Sequence, residues 1–158
     1  MISISTVVPF PPPSTIETLR EDHVIQRWLC DDLERIADHL PTLPSLPELR
    51  RISDRILRIT NSHFARAERV LHAMPPAQRP TPTMLDALHQ MHVLDEMHGQ
   101  DLVVTLWQHV GTAAGTVGGA NVGQLSYMLR CFFDGCRRAI RLKESYLAEL
   151  APALVTLD

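Results

Sequence analysis

The sequence predicts an all-α protein, an antiparallel up-down-up-down bundle of four helices. Proline- and glycine-rich breaks divide the chain into four segments of roughly 25 residues, each long enough for a helix of about 38 Å. None of the four carries the alternating pattern of a strand. The connectors are short, which makes consecutive helices antiparallel neighbours. The breaks are "PFPPPS" ending at residue 14, "PTLPSLP" over 41–47, "PPAQRPTPT" over 75–83 and "GTAAGTVGGANVG" over 111–123.

The first helix opens on Ser14-Thr15-Ile16-Glu17, a capping box. Leu29, Leu33, Ile36 and Leu40 form its apolar face, with His23 towards the flank. In the second, Ile52, Ile56, Ile59, His63, Ala67 and Val70 recur at helical spacing. The third follows Thr83, and its expected stripe is Met84, Met91, Leu94, His98, Leu102 and Leu106. The fourth opens near Asn121, three residues before Gln124, and offers Leu125, Leu129, Phe132, Cys136, Ala139, Leu142, Lys143 and Tyr146. The expected organisation is an extended arm over 1–13, the bundle over 14–151 and a tail over 152–158.

With 158 residues, the chain has the length of one domain with a single core. Apolar residues at 45% and charged residues at 21% are the balance of an ordinary globular protein. A net charge of −3 supplies no electrostatic reason to expect a nucleic acid or an anionic membrane as partner. The opening "MISISTVVPFPPPS" has no basic leader, and its apolar run is too short and too proline-broken for a signal or spanning helix. Cys30, Cys131 and Cys136 make no even disulfide framework and no C-x-x-C, which points to the cytoplasm. Cys131 and Cys136 point about 140° apart on a helix, too far for an intrahelical disulfide. No glycine-rich loop follows a strand, and no nucleophile stands in a recognisable arrangement, so neither catalytic nor cofactor-binding residues are assigned. The chain is expected not to be an enzyme.

Eight histidines are the compositional oddity. One lies in or beside the stripe of each of the first three helices: His23, His63 and His98. A buried imidazole must be hydrogen-bonded, charged against a carboxylate or bound to a metal. Inward histidines on facing helices are how bundles build metal sites. The others read as surface. His89 and His92 lie about 180° and about 120° from His98 on the helical wheel. His72 is on the far side of its helix, in an i,i+4 pair with Glu68. His39 and His109 sit near helix C-termini, where the dipole favours them.

Four stretches, in order, resemble the hemerythrin-like (HHE cation-binding) domain. "LREDHVIQRWLCDDLE" (19–34) is similar to its first helix, and "SHFARAERVL" (62–71) to its second-helix motif H-F-x-x-E-E-x-x-L. "DEMHGQDLVVTL" (95–106) resembles its third, and "RRAIRLKESYLAELA" (137–151) follows the fourth-helix pattern R-R-H-I-x-L-E-E-x-x-L-x-P. The resemblance covers about residues 16–151. It implies a four-helix bundle holding two non-heme irons, with histidine ligands and two bridging carboxylates. On this sequence His23, His63 and His98 match ligand positions. The bridging glutamate of the second helix falls on Ala67, the histidine of the fourth on Ala139, and the carboxylate four residues later on Lys143. Glu68 and Glu144 match the second, non-bridging glutamate of each pair.

Both bridging carboxylates are thus absent, and one position carries a positive charge. An inward ammonium repels a nearby divalent ion by several kcal/mol at an effective dielectric of about 20, which argues against a di-iron centre. Two readings remain. In one, His23, His63 and His98 hold at most a single iron or zinc ion, completed by water or Asp101. In the other, the bundle is metal-free and serves as an interaction or regulatory module. It would meet a protein partner or form a homodimer through a face carrying Trp28, Trp107 or Phe132-Phe133. Lys143 then either snorkels to the bundle end or points inward, where Asp95 and Asp101 could pair it in a Lys–carboxylate–His network with His98.

Overall fold

The structure, a computed structural model, describes residues 13–110 and 117–155; the arm expected over 1–13, up to residue 12, and the end of the tail expected over 152–158, from residue 156, lie outside the described residues. Helix α1 spans Pro13–His39. The second rod is built from α2 (Leu46–Arg58), a π-helical turn (Ile59–His63) and α3 (Phe64–His72). Helix α4 spans Pro82–Val110 and α5 spans Gly119–Val155. Cross-helix pairs establish antiparallel neighbours all round. Arg20 meets Leu147 while Arg130 meets Asp38, and Asp22 meets His63 while Asp32 meets Arg55. Likewise Trp107 donates to Ser53 and Glu68 accepts from His92. Helix α5 packs against α1 and α4, and the second rod closes the ring.

Several boundaries move. The described part of helix α1 runs from Pro13, and the expected capping box falls where side chains lie outside the described residues. The cap of α4 is Thr81, two residues before the expected Thr83: its Oγ1 accepts from the Met84 N–H, with Pro82 as the first helical residue. Helix α5 starts two residues before Asn121 and continues past 151 to Val155.

The π turn carries one hydrogen-bond step too many for an α-helix, a device frequent at functional sites. Within it the Thr60 and Ser62 hydroxyls donate to the Leu57 and Arg58 carbonyls. The widened turn lets Ile59, Thr60, His63 and Phe64 all face inward.

The apolar core has two parts. One gathers Leu29, Leu33, Ile52, Ile56, Leu102, Leu106, Leu129 and Phe132 towards the α1–α2 connection. The other gathers Ile16, Leu19, Val70, Leu71, Leu88 and Leu147 at the opposite end. A layer of buried polar residues lies between them: His23, His63, His92, Asp95 and Lys143.

The expected face of α4 is corrected. The buried stripe is Leu85, Leu88, His92, Asp95, Gly99, Leu102 and Leu106, while Leu94 is exposed. Gly99 belongs there because a Cβ would come within 2.8 Å of the Phe132 ring and 3.0 Å of Ile56. Of the aromatic residues expected on an interaction face, Phe132 and Phe133 are core and Trp107 is half-buried, leaving Trp28 exposed. Among the described residues, no helix is long and apolar enough to cross a membrane.

Candidate metal centre

The polar layer is organised around Lys143. Its side chain is 1% exposed, so the inward alternative holds and snorkelling does not. The ammonium donates to His63 Nε2 and to His92 Nε2, at 3.2 Å each. It also stands 5.6 Å from the centre of the Phe64 ring, against whose face the His92 imidazole stacks at 4.3 Å.

Every imidazole of the layer is oriented from behind by a carboxylate. His63 Nδ1–H donates to Asp22 at 2.9 Å, His92 Nδ1–H to Glu68 at 2.7 Å, and His23 Nδ1–H to Glu144 at 2.5 Å. Carboxylates at Nδ1 place the proton there and leave Nε2 as a lone-pair donor, the arrangement that holds metal-ligating histidines. His23 stands edge-on to His63, ring centres 5.2 Å apart, and its Nε2 is buried without a partner.

Electrostatics agree with neutral rings around one cation. Burial, then the Lys143 charge, lowers His23 and His92 to about 4 each, and lowers His63 further still. Burial lowers Lys143 to about 8, against the raising influence of Cys136, Asp95, Glu68 and Asp22. At neutral pH the lysine is therefore mainly charged and the histidines are not. Burial pulls Glu68 upward, but the hydrogen bonds from His92 and His89 outweigh it and hold the carboxyl below its usual value. Asp95 is pushed up to about 7 by burial, opposed by Lys143 and Arg138. Its carboxylate rests on Gly135, where a Cβ would meet Oδ1 at 2.2 Å.

The structure assembles His23 and His63 as the spacing indicated, although His23 is central rather than on the flank. The third ring is His92 and not His98. His98 lies half-buried on the edge of α4, its Nδ1 without a partner, while His92, expected at the surface, is 2% exposed. Of the two carboxylates expected to join Lys143 and His98, Asp95 is in the layer and Asp101 is exposed, and the imidazoles that meet Lys143 are His63 and His92 in place of His98. Glu68 turns to His89 and His92 rather than to His72. Asp22 was not singled out by its position, although four-residue steps along the first helix would have placed it beside the stripe. The cysteines are free. Cys30 donates weakly to the Phe133 carbonyl, and Cys136 is raised by its contact with Cys30 and by burial, which makes it a poor nucleophile.

A family model described as the hemerythrin HHE cation binding domain matches residues 14–151. The chain belongs to the hemerythrin HHE cation-binding domain family. No curated protein and no solved structure gave a match. Membership makes the metal centre the reference against which this hemerythrin-family layer is measured, and its donor set does not fit two irons. The expected bridge and ligand positions hold Ala67 and Ala139, both fully buried and neither able to supply a ligand. Two of the three inward lone pairs are occupied by the Lys143 ammonium. Among the described residues, no three His, Cys, Asp or Glu side chains converge as a metal site. The arrangement is a set of carboxylate-backed histidines closed around a cation that the chain itself supplies.

Proposed function

We propose that this hemerythrin-family chain works without a metal, its cation being the tethered ammonium of Lys143, and that it serves as a binding or regulatory module. The observation that carries the reading is the pair of 3.2 Å contacts from Lys143 Nζ to His63 and His92 Nε2. An ammonium is a point charge with three donors. It gives the imidazole lone pairs the positive partner a metal would give, with no open coordination position and no redox change. The reading is accordingly of a non-enzymatic protein. Three free cysteines are in keeping with a reducing, cytoplasmic setting, and its partner is taken to be neither a nucleic acid nor a membrane.

One observation favours the second reading, a single iron or zinc ion: His23 Nε2 is buried and unpartnered. Such an ion would have to displace Lys143 after the lysine lost its proton.

Metal content by mass spectrometry, with a visible spectrum, decides between them on untagged protein from cells supplemented with iron and zinc. The expected result is a folded chain with no stoichiometric metal. One ion per chain, lost in His63→Ala or His92→Ala, would establish the single-ion reading instead. Two irons with an oxo-bridged spectrum would overturn both.

A further inference from the structure

A groove of about 380 Å³ lies between α1 and the second rod, alongside the π turn. Its floor includes Gln26, whose side-chain amide is buried with the residue 1% exposed, and neither Nε2 nor Oε1 has a partner. A buried amide without partners is costly, and a polar group entering the groove would relieve it. On one wall Trp28 is 60% and Ile25 44% exposed, a larger apolar surface than an isolated helix position needs.

The opposite wall carries Arg55, Arg58 and Arg66 against a single carboxylate, Asp22. Two of these arginines are committed: Arg66 to Asp22 at 2.6 Å and Arg55 to Asp32 at 3.5 Å. Asp22 is in turn occupied by Arg66 and His63. Arg58 is exposed and has no ion pair among the described residues. An uncommitted guanidinium, an unpartnered amide and an exposed indole therefore face one cleft of small-molecule size.

We propose that this groove binds a small monocarboxylate with an apolar body, its acid group on Arg58 and the Gln26 amide and its body against Trp28 and Ile25. A guanidinium fork suits a carboxylate in charge and in geometry. The indole and isoleucine would bury apolar surface that water now covers. The proposal rests on reading the chain as a binding module and supplies that module's ligand class.

The test is calorimetric titration of the full chain, treated with chelator, with octanoate. Octanol and inorganic phosphate are the controls for body and charge alone. Octanoate is expected to bind saturably at one site, with octanol and phosphate weaker by about tenfold or more, as loss of a charge-assisted hydrogen bond or of the apolar contact implies. Arg58→Gln, at an exposed position that leaves the core intact, should weaken octanoate by about tenfold, and Gln26→Leu should weaken it as well. Octanoate should also move the His63 ring resonances, because His63 lines the groove, and leave those of His39 in place. No saturable octanoate binding, equal binding of octanol or phosphate, or an Arg58→Gln protein that binds unchanged would each overturn the proposal. Metal analysis of the same preparation, made before the chelator is added, separates the two readings. Metal together with octanoate binding removes only the metal-free reading; a metal-free chain that ignores octanoate removes only this one.

Discussion

Replacing Lys143 with methionine keeps an unbranched side chain of similar length in the core and removes the charge. In the folded chain burial lowers Lys143 from 10.5 to about 8. At about 1.4 kcal/mol per pH unit, holding the proton in the folded state costs about 3 kcal/mol relative to the unfolded chain. The unfolded state binds more protons between these two values, so the wild type should gain stability as pH rises through that window. The cost is fully present below about 8 and gone above 10.5. At neutral pH the substitution removes that cost but strips the donor from two buried Nε2 atoms, worth about 1–3 kcal/mol each. The net change there should be small, and the slope with pH is the diagnostic. Urea unfolding of both proteins, followed by helical circular dichroism across the window, measures it. The stability of the wild type minus that of Lys143→Met should rise by about 3 kcal/mol. Parallel curves would refute the placement of a charged lysine inside the layer.

Acid should loosen the fold through the histidines. Those of the layer are held neutral, His23 and His92 at about 4 against 6.5 unfolded, so their contribution is complete above 6.5 and is lost as pH falls through 4. Asp95, raised from 3.8 to about 7, acts oppositely, so a pH series of melting temperatures should still fall below 6.5 because the histidines outnumber it; a flat profile would be inconsistent with buried neutral rings. Lys143→Glu returns a carboxylate to the centre of three carboxylate-backed histidines, and zinc should raise the melting temperature of this variant while leaving the wild type unmoved. Gly135→Ala puts a methyl group where the Asp95 carboxylate lies, and should cost about 1–3 kcal/mol by urea unfolding, the usual range for overpacking; a neutral result would mean Asp95 is free to turn away.

Helix number, order and the inward faces of the second and fourth segments are legible because apolar residues recur there without competition. Ile52, Ile56, Ile59, His63, Ala67 and Val70 leave one reading, and all six are buried. The third segment offers two. Met91, Leu94 and His98 compete with Leu88, His92, Asp95 and Gly99, and hydrophobicity alone favours the wrong set. The winning stripe contains an aspartate and a glycine. Each is explained by a neighbour far along the chain: Gly135 leaves room for the Asp95 carboxylate, and Phe132 and Ile56 press on Gly99. No local pattern encodes those contacts.

The sequence alone indicates an all-α bundle resembling the hemerythrin family, and the resemblance puts Ala67, Ala139 and Lys143 where it implies ligands. Helical periodicity and motif order act locally, so one chain read alone contains them. Only the tertiary structure decided what Lys143 does and with whom. It turned the lysine inward, chose His92 over His98, and set Asp22, Glu68 and Glu144 behind the rings. The reason is physical. A buried ammonium is tolerated only where lone pairs converge on it, and that convergence depends on the rotation of four helices about their axes, which packing sets across the whole bundle.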